Sequence, residues 1–203
     1  MKTENIHKYI ALMDQIKKRT NVVDQIMQGK THSVYKATTT ETLYLQYRKI
    51  IELIAMGSLV ANKDEFSKTH KKFGKYWNAE KIIKDIENIN PNFYPVPISQ
   101  VTSNDPTIKS RFEKIPEANY LGKKDFIKLY KLCGVILHSE NPYGRKINFE
   151  EYAKTAKSWQ YKIRNLLNAH QIRLINDSNL YIIQMGAPDK SPTYTSFQMI
   201  KSK

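Results

Sequence analysis

The sequence pattern indicates an α+β protein, a mainly α-helical bundle with a small C-terminal three-stranded antiparallel sheet. Apolar residues recur at helical spacing through most of the first 90 positions, and again over 123–138 and 149–169. Beyond His170 the period changes to alternation: QIRLI, LYIIQM and TYTSFQMI are set apart by the turns NDSN and GAPDKSP, so 171–200 reads as three strands. Between the helical blocks, 91–116 holds five of the eight prolines. With 203 residues, 40% of them hydrophobic, one domain over 1–203 is the expected organisation.

The first helix places Ile6, Tyr9, Ile10, Met13, Ile16, Val23, Ile26 and Met27 on one face, and Gly29 supplies its stop. After the link HSVYKA comes Thr38 to Asn62, long, apolar on most sides and free of proline, the expected central helix. Thr38 with Glu41 forms a capping-box signature at its start. The basic run from Lys63 to Lys75 continues as a helix anchored by Phe66 and Phe73, bent or broken at Gly74. Trp77, Ile82, Ile83, Ile86 and Ile89 mark a further helix, ended by Asn90-Pro91 because the residue before proline is pushed out of the helical region.

The proline-rich segment is too apolar for a disordered tether, since Phe93, Tyr94, Val96, Ile98, Phe112 and Ile115 lie in it. It is expected to wrap the core, with short extended pieces at Val96–Val101 and Ile108–Ile115. A helix over Lys123–His138 follows, stopped by SENPYG. Asn148 with Glu151 then forms a second capping box, opening a helix that buries Phe149, Tyr152, Ala153, Ala156, Trp159, Ile163, Leu166 and Leu167.

The net charge of +14 calls for an anionic partner, nucleic acid first, with a solvated basic surface as the plain alternative. RNA is preferred to DNA. Cys133 is the lone cysteine, so an intramolecular disulfide and a zinc site on paired thiolates are excluded, and a reducing cytoplasm fits. Charges interrupt the N-terminal segment too soon for a secretory signal, and no 18 apolar residues run together, so no membrane partner is expected. No Gly-rich phosphate loop, HExxH pair, EF-hand series or GxSxG elbow occurs. No cofactor and no metal are therefore expected.

Several side chains invite a role. Glu41, Tyr44, Arg48 and Glu52 draw a polar line along the central helix, and Arg48 with Glu52 is the expected buried ion pair. His138, beside Glu140, Asn141 and Tyr143, is a candidate for proton transfer or a simple helix cap. Tyr143 and Tyr161 offer rings for base stacking or for packing, and Arg145 offers a guanidinium for phosphate. Cys133 lies on an apolar face and reads as core.

The patches RKIIELIAMGSLVANK, WNAEKIIKDIENINPNFYPVP, CGVILHSENPYG and IRNLLNAH together resemble a group of bacterial proteins that brings no activity with it. A narrower resemblance is to the HEPN superfamily of helical proteins, which includes metal-independent RNases carrying Arg, four to six residues, then His. Arg164-Asn165-Leu166-Leu167-Asn168-Ala169-His170 meets that pattern. The resemblance implies an RNase of the defence or toxin type, acting as a homodimer. Arg164 would stabilise the transition-state phosphate and His170 would move protons as the RNA 2′-hydroxyl attacks. Read without it, Arg164 is a solvated helix residue, His170 a C-terminal cap, and the chain a non-catalytic nucleic-acid- or protein-binding module.

Overall fold

The computed structural model describes residues 2–69, 78–105, 107–108, 110–144 and 146–198. Among them are the helices α1 (Lys2–Met27), α2 (Lys36–Ala61), α3 (Lys63–Thr69), α4 (Ala79–Ile89), α5 (Lys123–Leu137) and α6 (Phe149–Leu167). The strands are β1 (Val96–Thr102), β2 (Ser110–Lys114), β3 (Ala169–Ile172), β4 (Asn179–Gln184) and β5 (Thr193–Gln198).

The central helix is α2, which packs against α1, α4, α5 and α6. Tyr44, Tyr47, Ile50, Ile51, Ile54 and Ala55 are sealed from solvent, as a helix with neighbours on several sides requires. It begins at Lys36 rather than Thr38. Thr38 serves the start from inside the first turn, where its Oγ1 receives the Tyr35 N–H at 3.4 Å. At the end of α1, Gly29 takes φ +69°, the left-handed turn that closes a helix at little cost in glycine.

Asn62 makes the corner between α2 and α3. It is fully buried, its Nδ2 donates to the Ser58 carbonyl, and its Oδ1 accepts from Asn90 Nδ2 at 2.8 Å, which ties the ends of α2 and α4 together. Phe66 is buried from α3. Phe73, Gly74 and Trp77, expected to anchor or bend this region, lie outside the described residues. Asn78 caps α4 by accepting the Lys81 N–H at 2.9 Å, and Ile82, Ile83 and Ile86 face the core.

The sheet corrects the three-stranded expectation. Five antiparallel strands run in the order β2-β1-β3-β4-β5. The two extended pieces of the proline-rich segment pair with each other, Ile98 opposite Lys114, and β1 then docks on β3 through Val96↔Gln171 and Pro97↔His170. Strand β3 starts at Ala169, straight after α6, so His170 is a strand residue instead of a helix cap. The six-residue pairing of β4 with β5 completes the sheet. The helix-facing side of the sheet brings Ile172, Tyr181 and Ile183 into the core formed by the helices.

Candidate functional site

Helix α6 owes its start to Asn148, whose Oδ1 accepts the Glu151 N–H at 3.1 Å. From Tyr152 to Asn176 the chain carries five cationic side chains and no acidic one. One face of α6 buries Ala156, Trp159, Ile163, Leu166 and Leu167. The opposite face exposes Lys154, Lys157, Tyr161, Arg164 and Asn168, whose steps of three and four form a single stripe. Lys154 and Lys157 have no ion pair or hydrogen bond among the described residues. Tyr161 stands between the cations, 56% exposed.

The stripe runs down to a groove of about 470 Å³ between α1, α6 and the loop that follows β4. Thr20, Asn21, Asp24, Arg164, Asn165 and Asn168 give it a polar lining, with Ile16, Ile163 and Leu167 as apolar floor. Asp24 is held from two sides: Gln160 Nε2 donates to its Oδ1 at 2.9 Å and Arg164 to its Oδ2. The Arg164 side chain nevertheless keeps 55% of its surface open. Lys17 does different work. Its ammonium donates to the carbonyls of Met185, at 2.5 Å, Ala187 and Lys190, so its charge fastens the loop that walls the groove.

His170 is sealed in the core, 0% exposed. Its Nδ1 lies 2.9 Å from the Leu167 carbonyl, which can only accept; Nδ1 therefore carries the proton and Nε2 accepts from Tyr9 O–H at 2.8 Å. Burial pushes the imidazole down to about 4, so the ring is neutral near pH 7. Burial also pushes the Tyr9 hydroxyl far above its ordinary range. Tyr9 reaches His170 because its ring lies against Gly57 of α2, where a Cβ would come within 3.0 Å of it.

The seven-residue motif thus gives two separate environments. Arg164 faces the groove, while both ring nitrogens of His170 are occupied inside the protein. His138 caps α5 at the surface, its N–H bonded to the Gly134 carbonyl. Arg164 lies fifteen residues down α6, about 22 Å from the start of that helix. Tyr143 is 97% exposed in the turn that Asn141 organises by accepting the Tyr143 N–H at 3.0 Å. Arg145 lies outside the described residues.

Arg48 and Glu52, one turn apart on α2, form an ion pair at 2.9 Å beside α5, with side chains 21% and 20% exposed. The pair is partly open rather than buried, because α5 covers it from one side only through Tyr130. Arg48 donates to the Tyr130 carbonyl at 3.2 Å and hydroxyl at 2.6 Å, and its guanidinium covers that ring at 3.5 Å. The nearby Cys133 is a core residue, sealed from solvent, and burial pushes its thiol up to about 12, so it stays protonated near pH 7.

Lys17, Asp24, Lys154 and Lys157 were not singled out from the sequence. The acid-free run after Tyr152 was the available signal for the lysines; Asp24 meets Arg164 across 140 residues and left none. Among the described residues no group of three or more His, Cys, Asp or Glu side chains could hold a metal ion, and no helix is long and apolar enough to cross a membrane. No protein-family model, curated protein or solved structure matches the chain.

Proposed function

We propose that this chain is a non-catalytic binding module for single-stranded nucleic acid, with RNA as its first target. The observation that carries the reading is the α6 stripe, in which Lys154, Lys157 and Arg164 flank an exposed Tyr161 on one helix face. Cations at this spacing follow a phosphate backbone, and a ring between them stacks on a base. The groove at the end of the stripe adds amide and hydroxyl groups that suit base edges and the ribose 2′-hydroxyl. Duplexes offer the stripe no unstacked base, so single strands are favoured.

The cleavage chemistry implied by the HEPN resemblance lacks support from this geometry. His170 would have to exchange protons with a substrate, yet it lies in the core with Tyr9 and Leu167 on its two nitrogens. Binding and cleavage separate in one assay series. A labelled single-stranded RNA is titrated with protein at about 50 mM salt and again at about 200 mM, and the affinity falls steeply because releasing condensed counterions gains less free energy at the higher salt. Replacing Lys154 and Lys157 together by Ala reduces the salt slope by about two, one for each lost phosphate contact. Tyr161→Ala weakens binding by about 1–3 kcal/mol, the scale of one stacked base. The RNA remains intact throughout. Absence of binding at the lower salt overturns the proposal, and cleavage that survives EDTA and disappears in a His170→Gln variant shown by circular dichroism to be folded restores the catalytic alternative.

A further inference from the structure

Asp24 is out of keeping with its surroundings. It is the one acidic side chain among the described residues that line the groove at the foot of the α6 stripe, in a chain of net charge +14. A carboxylate repels phosphate and can only accept hydrogen bonds, and RNA presents N–H donors only on its bases. The carboxylate is also held in place independently of Arg164. Gln160, 4% exposed, directs its Nε2 at Asp24 Oδ1, at 2.9 Å, and at the Thr20 carbonyl, at 3.3 Å. Both are acceptors, so the amide stands with its nitrogen toward them, and its Oε1 has no hydrogen-bond partner among the described residues. A buried amide left unpaired on one side is a cost to the fold, and what its donor side secures is the position of Asp24.

We propose that the groove takes a single guanine base of a bound RNA strand, with Asp24 as the residue that selects it; this rests on the nucleic-acid reading above. Arg164 exchanges Asp24 for a phosphate as the strand follows the stripe, which opens Oδ2 of a carboxylate that Gln160 keeps in place. Guanine alone among the four bases carries two adjacent donors, N1–H and N2–H, on its Watson–Crick edge. They match the two carboxylate oxygens, since Oδ1 has a lone pair to spare beyond Gln160. Adenine and cytosine put a ring-nitrogen lone pair beside their amino group, and uracil has a carbonyl on each side of its one N–H. Each of these sets an acceptor against the carboxylate. The ring lies on the apolar floor of Ile16, Ile163 and Leu167, and the exposed amides of Asn21 and Asn168 bring donors for O6. A volume of about 470 Å³ falls within the range of about 300–1,000 Å³ in which small planar ligands are held.

Fluorescence anisotropy on the full chain reads the selectivity, with labelled RNAs of about twelve nucleotides that are all uridine or carry one central guanosine, adenosine, cytidine or inosine. At about 50 mM salt the guanosine strand should bind about tenfold more tightly than the uridine, adenosine and cytidine strands, the discrimination of one bidentate base contact. Inosine lacks the N2 amine and should lose most of that advantage. Asp24→Asn frees Arg164 for phosphate in every strand, so its readout is the ratio between bases: the guanosine preference should disappear while RNA is still bound. If Asp24→Asn fails to fold by circular dichroism, the inosine comparison decides alone. Guanine selection is overturned, with RNA binding intact, if the strands bind alike, if another base leads, if inosine equals guanosine, or if a folded Asp24→Asn keeps the preference. Should no strand bind, the nucleic-acid reading and guanine selection are both overturned.

Discussion

Arg48 and Arg164 each project from a long helix toward a carboxylate, and their surroundings make them different things. Arg48 has Glu52, the Tyr130 carbonyl, the Tyr130 hydroxyl and the Tyr130 ring, which leaves its guanidinium little left to offer. Arg164 has Asp24, keeps 55% of its side chain in solvent and looks into a groove. A partner count of this kind separates an arginine that fixes the packing of two helices from one that can exchange its carboxylate for a phosphate. The same contrast divides the two histidines: His170 is enclosed with both nitrogens bonded, and His138 is at the surface.

The largest expected effect concerns the fixed part of the Arg164 region, which is His170. His170→Ala empties a core position and leaves the Tyr9 hydroxyl buried without an acceptor, so it should destabilise by about 3 kcal/mol. The sign of its pH dependence follows from a folded value near 4 against an ordinary 6.5. Above about 6.5 neither state protonates His170 and stability is intact; as the pH falls toward 4, the unfolded chain takes up a proton that the folded chain refuses. Stability contributed by the neutral ring is lost over that window, amounting to about 3 kcal/mol. His170→Gln keeps a donor for Leu167 and an acceptor for Tyr9. Its denaturation midpoint should therefore vary less with pH between 6.5 and 4 than that of the wild type; equal slopes would show that His170 is free to protonate in the fold.

Arg48→Ala comes next, at about 2 kcal/mol, which for a chain of this size lowers Tm by about 4–8 °C. The value is below that of a fully buried pair because Glu52 is partly solvated and keeps Lys49 at 3.0 Å. Arg48→Lys should recover little, since an ammonium cannot reach Glu52 and both Tyr130 oxygens while covering the ring. Thermal melts that show no loss for Arg48→Ala would remove the structural role assigned to this cluster.

What the sequence made legible was local. Helix α2 could be read because Leu43, Tyr47, Ile50, Ile51 and Ile54 repeat within one element, and each of them is buried. The β1–β3 pairing could not, because Val96 meets Gln171 across 75 positions and no local period reports that contact. His170 was partly legible. It shares the alternating phase of Ile172 and Leu174, both buried, and that phase marks an inward-facing histidine more directly than the Arg-to-His spacing marks a catalytic pair. The α6 stripe was legible in principle, as cations at 154, 157 and 164 around Tyr161, but its openness depends on which neighbours α1 and α5 bring to the flanks of that helix.

The smallest expected effect on stability belongs to Arg164, and it is the one that decides whether the two arginines differ in kind. Arg164→Ala removes an exposed pair and should change stability by at most about 0.5 kcal/mol, the usual scale for a surface ion pair. Asp24 keeps its bond from Gln160, so no carboxylate is stranded. The same substitution should weaken single-stranded RNA binding by about 1–2 kcal/mol, because a guanidinium that leaves Asp24 for a phosphate makes a charge-assisted contact. Asp24→Asn provides the converse: with the competing carboxylate neutralised, Arg164 is released and RNA binding should tighten. A matched pair of melts and titrations reads both quantities. If Arg164→Ala melts as early as Arg48→Ala while RNA affinity is unchanged, Arg164 is a second structural arginine and the groove is not the binding site.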